Sequence, residues 1–203
     1  RPVRSMARAE RSGEERSGAD WVAAGTGLPP RYLGPEPSAM SVEQRAVYNE
    51  IAGSRTTGVR GPFGPWLAAP AIAQPAQTLG RVCRYETSLS LLESELAILL
   101  TAAHHESATE WTIHEAEALR AGMSEPTIAA VRVGARPDGL DPRSAAIHDF
   151  ASELLCTSGR VADGTYEAAR RALGEPGVVE LTAIVGYYTL VAYTLNVFRI
   201  PAS

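Results

Sequence analysis

Two acids and one imidazole stand at spacings that suit proton transfer. Glu110 and His114 are four residues apart, with Trp111 three before the histidine, so one helix would carry all three on a single face. A carboxylate beside an imidazole fixes its tautomer and raises the basicity of the ring, which makes the pair a general acid or base. Glu95 is the third group. Its helical neighbours would be Leu91, Leu92, Ile98 and Leu99, an apolar face on which a carboxylate is desolvated and becomes useful for proton transfer. Each residue also has a plain structural use. Ser107-x-x-Glu110 is a capping box, Glu95 at a boundary could turn to water or an arginine, and a histidine such as His114 is commonly a satisfied core or surface group.

Further candidates lie around these three. The connector from Ser54 to Pro65 holds Thr56, Thr57, Arg60, Gly61, Pro62, Phe63 and Gly64, followed by Trp66, and connectors so rich in bulky and charged groups tend to line sites. Arg60 would grip a carboxylate through two parallel hydrogen bonds, while Phe63 and Trp111 would exclude water. His104 and His105 end a helix, where imidazolium suits the C-terminal dipole. A metal site built from Glu95, His104, Glu110 and His114 is disfavoured, because Glu-x-x-x-His is not the di-iron spacing and has no second copy. Cys83 and Cys156 read as small buried hydrophobes. Tyr187, Tyr188, Tyr193 and Asn196 place polar atoms in an apolar helix and imply core hydrogen bonds, a subunit contact or a pocket wall.

The elements that must hold these groups are helices. Ser41 to Gln44 is a capping box for a helix to about Ala52, Pro75 starts a short helix to about Tyr85, and Ser90 to Glu93 caps the helix that carries Glu95. Ser107 opens the next, which Gly122 ends, and a short helix follows from Ser124 to Val133. Asp141 and Pro142 pair as cap and first turn of a helix ending near Thr157. Asp163 caps another that Gly174 stops, and an apolar helix runs from about Val178 to Phe198. With no alternating run of strand length, the fold class is all-α, roughly seven or eight helices around one core.

Composition excludes much else. The chain has 203 residues, 45% of them hydrophobic, and all 19 basic residues are arginine, which removes Schiff-base and phosphate-loop lysine chemistry. A formal charge of -4 argues against nucleic acid as a partner. Two cysteines far apart form no ligand or dithiol motif and suit a reducing cytoplasm. Residues 1–27 read as a flexible tail rich in arginine and glutamate, and residues 28–203 as the helical domain. Leu181 to Phe198 is apolar but at the short limit for spanning a membrane, so it is read as a buried or subunit-interface helix and not as a span.

The stretch from Leu92 to Gly122 resembles the carboxymuconolactone decarboxylase family of the AhpD-like superfamily. Peroxidase members carry a glutamate, then Cys-x-x-Cys, then a histidine four after the second cysteine and nineteen after the glutamate. Glu95 and His114 keep that interval of nineteen, and Ser107 and Glu110 stand at the two cysteine positions. The likeness continues through Gly61-Pro-Phe-Gly-Pro-Trp66, Val185-Gly-Tyr-Tyr188 and Asn196, covering roughly Tyr32 to Pro201. It implies an AhpD-like multi-helical bundle that assembles into trimers, dimers or hexamers. Without the dithiol, the alkylhydroperoxidase reaction is not carried over. The cysteine-free branch resembles the decarboxylase proper, which removes carbon dioxide from a small carboxylated lactone without a cofactor. The implied catalytic residues are Glu95, Glu110 and His114; residue type and loop character, not a matched motif, add Arg60, Phe63 and Trp111 as substrate-binding residues, and Ser107 joins them from its place at a cysteine position. Two other readings are a non-catalytic oligomer that binds a small acid and a peroxide-handling relative that uses Cys83 or Cys156.

Overall fold

Seen in the computed structural model, which describes residues 20–23, 28–54 and 58–202, the helices that carry the candidate residues pack around a single central one. That helix, α5 (Leu91–His104), is hydrophobic nearly all round, and Leu96, Ala97, Ile98, Leu99 and Ala102 are fully buried. A helix apolar on every face can only be an interior helix. Four others contact it: α6 (Ala108–Arg120), α7 (Glu125–Arg132), α8 (Pro142–Cys156) and the long α9 (Asp163–Phe198). Helix α4 (Pro70–Tyr85) leans on α9 and on α2 (Val42–Ser54). No strand occurs among the described residues.

Caps set the starts of these helices. The Ser90–Glu93 capping box is fully formed, with Ser90 Oγ accepting from Glu93 N and Glu93 accepting from Ser90 N at 2.8 Å. Glu93 is held further by Arg143, whose Nε donates to it at 2.6 Å and whose Nη1 donates to the Ala172 carbonyl at 2.7 Å. One arginine thereby ties the starts of α5 and α8 to α9. Asp141 accepts from the backbone of Arg143 and Ser144, as an N-cap should. The Ser41–Gln44 box also closes in both directions.

The structure corrects several expectations. Helix α4 starts at Pro70 and runs through Pro75, which sits inside its second turn. Within the expected connector, Phe63–Trp66 forms a helical turn, α3, and residues 55–57, including Thr56 and Thr57, lie outside the described residues. Ala162, not Asp163, is the N-cap of α9, and its N–H donates to Glu153 Oε1 at 2.9 Å. At Gly174 the backbone turns to φ 74° and ψ 168°, so α9 is two helical segments meeting at a kink, with Pro176 opening the second.

The apolar second segment of α9 is long and hydrophobic enough to cross a membrane, yet Leu181, Ile184 and Ala192 are fully buried against the other helices. Of the expected tail, residues 1–19 and 24–27 lie outside the described residues. Asp20–Ala23 is a helical turn, α1, whose Trp21 ring meets Trp111 edge-on at 5.5 Å.

Candidate active site

Helices α5 and α6 bring Glu95 and His114 into contact, because the nineteen-residue interval spans one helix end, a tight turn at positive-φ Glu106 and the start of the next helix. His114 Nδ1 lies 2.6 Å from Glu95 Oε2, and its Nε2 lies 3.1 Å from Glu110 Oε1. All three side chains are buried, Glu95 completely. Burial works to lower the basicity of His114. The hydrogen bonds and charges of Glu110 and Glu95 outweigh it and lift the imidazole pKa to about 9. The ring is therefore a cation at neutral pH, donating one proton to each carboxylate.

Two further groups complete the site: Arg84, which no sequence pattern singled out, and Tyr188, one of the tyrosines read as core hydrogen bonds, a subunit contact or a pocket wall. Arg84, in the last turn of α4, places Nη1 3.4 Å from His114 Nε2 and Nη2 3.8 Å from Glu95 Oε1 and 3.4 Å from Glu117 Oε2. Burial opposes its charge, but the charge of Glu95 and a hydrogen bond with Tyr188 hold it above the usual arginine range. Tyr188 meets the His114 ring edge-on at 5.1 Å, and burial raises its phenol well above its ordinary range, so the hydroxyl keeps its proton.

His114 Nε2 thus has neighbours of opposite character. Protonated, it donates to Glu110. Once it has given that proton away, its lone pair can accept from Arg84 Nη1. Both states of the ring are provided for, which is what a group that gives and regains a proton requires.

The other candidates are distributed more widely. Ser107 is the N-cap residue of α6 and fully buried, but it makes no cap hydrogen bond and its hydroxyl has no partner. Glu110 does not close the expected capping box; its carboxylate turns to His114, because a charge-assisted bond to an imidazolium is stronger than one to a backbone N–H. Trp111 is fully buried behind the site, between Trp21 and the Arg132 guanidinium, which lies 5.1 Å from its ring. Phe63 is buried against Trp66, whose Nε1 donates to Thr194 Oγ1 at 2.9 Å. Arg60 is exposed and takes no part in the hydrogen bonds and ion pairs that join His114, Glu95, Glu110 and Arg84.

His104 and His105 divide. His105 Nε2 lies 3.2 Å from Thr189 Oγ1, its carbonyl accepts from Asn196 Nδ2 at 2.8 Å, and burial lowers its pKa. His104 faces a cleft of about 490 Å³ that Leu100, Arg132, His148 and Cys156 also line. Nine residues of helix turn His104 to the opposite face of α5 from Glu95, so Glu95, His104, Glu110 and His114 do not converge as one metal set. Among the described residues, no group of three or more His, Cys, Asp or Glu side chains is placed to hold a metal. Cys83 is buried and its thiol is pushed up to about 11 by burial, whereas Cys156 is exposed; both are free.

Comparison with known proteins agrees with this architecture. Residues 70–153 match the model of the carboxymuconolactone decarboxylase family. A peroxidase-related protein from Ralstonia eutropha, described as an alkylhydroperoxidase AhpD core, has a similar structure, with a TM-score of 0.70 at 20% identity over 87% of this chain and 94% of that one. Another peroxidase-related protein, from Silicibacter, gives 0.71 at 14% identity over 85% and 91%. The debrominase Bmp8, solved with 2,3,4-tribromopyrrole, gives 0.68 at 10% identity over 87% and 93%. No curated protein sequence matches significantly. The matched segment runs from the first residue of α4 to within α8 and contains Arg84, Glu95, Glu110 and His114, and the solved structures share the helical fold around it.

Proposed function

We propose that the protein is a cofactor-independent carboxy-lyase acting on a small carboxylated lactone or a related acid, with His114 as the proton donor. The observation that carries this reading is a buried imidazole held between two carboxylates, charged at neutral pH and with Arg84 ready to take its lone pair.

The reaction needs a cation near the carbonyl and a proton for carbon. The bond to the departing carboxylate breaks, its electron pair moves into the conjugated lactone carbonyl, and carbon dioxide leaves. His114 Nε2 then gives its proton to the carbanionic carbon and regains one from solvent. Glu95 fixes the ring from the Nδ1 side and Glu110 holds the transferable proton. Arg84 and the His114 cation stabilise the enolate charge in a site from which burial excludes water, where such charges act most strongly.

The test is carbon dioxide release from γ-carboxymuconolactone by the purified protein, with His114→Gln alongside. A fall of about 10²- to 10⁴-fold in the variant, with folding retained, is the size expected for a lost general acid. No release from the native protein would refute this substrate and reaction. The peroxide-handling reading is weakened by Cys83, whose thiol stays protonated, and by the carboxylate of Glu110 at a position where peroxidase relatives carry a thiol.

The same proposal extends to assembly and location. Val179, Leu190, Tyr193 and Val197 are large apolar side chains left exposed on the second segment of α9, a face suited to a second copy of the chain. The two free cysteines fit a reducing cytoplasm.

A further inference from the structure

Helix α6 presents Glu110, His114 and Glu117 at intervals of four and three, so the three side chains form one row. The first two enclose the transferable proton. Glu117, less than one turn beyond His114, does something different: it bridges two arginines. Its Oε2 lies 3.4 Å from Arg84 Nη2, and its Oε1 is ion-paired with Arg120 on the outer side. Exposure rises outward along this line, from 0% at Glu95 through 17% at Arg84 and 22% at Glu117 to 70% at Arg120. The Arg84–Glu117 pair is therefore where the buried site comes nearest to solvent.

Arg84 is not fully used by its neighbours. Its Nε is buried without a hydrogen-bond partner, and so is Glu95 Oε1, which lies 3.8 Å from Arg84 Nη2. A buried guanidinium with an unspent donor retains capacity for a planar, bidentate acceptor. Glu117 can be displaced at small cost, because Arg120 keeps its charge paired when Arg84 is taken by another anion.

We propose that Arg84 is the residue that binds the substrate's spectator carboxylate, and that Glu117 occupies that carboxylate's place until substrate displaces it. This rests on the reading above that the substrate is a carboxylated small acid, and it gives Arg84 the role that residue type alone assigned to Arg60. A carboxylate seated in the Glu117 position lies within one helical turn, about 5 Å, of His114, which is the reach of a small lactone ring. The surface charge between Glu117 and Arg120 then acts as a filter: an uncharged analogue gains nothing by displacing Glu117, whereas an anion exchanges one ion pair for another.

The experiment measures binding without turnover. Muconolactone, which has one carboxylate and none to lose, is titrated into the protein beside its methyl ester, with the His114 ring signals followed by NMR. The acid is expected to bind at least ten times more tightly than the ester. Glu117→Gln, which removes the competing charge and keeps the shape, should tighten acid binding several-fold and leave the ester unchanged. Arg84→Gln should abolish the preference for the acid. Since Arg84→Gln also removes the cation beside the buried Glu95 Oε1 and risks misfolding, Glu117→Gln carries the decision. Equal binding of acid and ester, no binding of the acid, or weaker acid binding in Glu117→Gln overturns the proposal. Acid preference and its Glu117 dependence without carbon dioxide release from γ-carboxymuconolactone would instead retain the carboxylate site and refute the decarboxylation reading.

Discussion

Glu110→Gln is the substitution that isolates the electrostatics of the site. Glutamine keeps an oxygen where Glu110 Oε1 stands, 3.1 Å from His114 Nε2, and removes only the charge. The imidazole pKa is lifted from 6.5 to about 9. At about 1.4 kcal/mol per pH unit, that is a preference of roughly 3 kcal/mol for the charged ring, from which burial has already been subtracted. Two carboxylates share it. Removing one should lower the pKa by one to two units, to between about 7 and 8. Linkage gives a second readout. A group whose pKa is raised on folding contributes its full stability below the unfolded value, and that contribution is lost as pH rises through the folded one. The native protein should therefore lose up to about 3 kcal/mol between about pH 6.5 and pH 9, and Glu110→Gln should complete a smaller loss by about pH 8. Proton NMR titration of the His114 ring and urea unfolding across that range measure both. A ring that still titrates near 9 in the variant would refute the assignment of Glu110 as a main source of the shift. If His114 is the proton donor, the alkaline limb of the rate profile should move down by the same interval.

Other expectations follow from the packing. A thiol reagent at neutral pH should modify exposed Cys156 quickly and buried Cys83 only on unfolding, with stopped-flow absorbance resolving two phases. Gly80→Ala should destabilise by about 1–3 kcal/mol, because a Cβ there would fall 2.1 Å from the Tyr187 hydroxyl, and thermal unfolding would show it. Asp141→Ala removes the N-cap of α8 and should cost about 1 kcal/mol in urea unfolding without altering the His114 titration.

The order of helices was legible because their signals are local: capping boxes at Ser41 and Ser90, Asp141 before Pro142, and glycine at the bend of α9. The nineteen-residue interval and the family resemblance it supports singled out Glu95 and His114, but their contact depends on how α5 and α6 pack, which no local signal sets. Arg84 was not legible. It belongs to a different helix, and nothing local says that an arginine in a last turn points inward. The available signal was the face itself, since Ala73, Gln77, Gly80 and Arg84 follow helical spacing, and the first three are buried. Ser107-x-x-Glu110 misled for the opposite reason. The motif is right for a cap, but His114, one turn along the same helix, offered the carboxylate a stronger bond than the backbone did. Arg60 and Phe63 were grouped by loop composition, and the structure places Arg60 at the surface and Phe63 against Trp66.

Trp21 touches Trp111, and Trp111 is the next residue after Glu110. The indole Nε1 of Trp21 also donates to the Arg132 carbonyl at 3.4 Å, so this short turn clasps the end of α7 as well as the back of α6. A truncation made at residue 27, where composition suggests the domain begins, would strip a cover from the helix that holds the reactive imidazole. Edge-on indoles 5.5 Å apart also exchange excitation. The intrinsic fluorescence of the protein is thus a built-in gauge of whether its leading segment is seated, readable at micromolar concentration without a label.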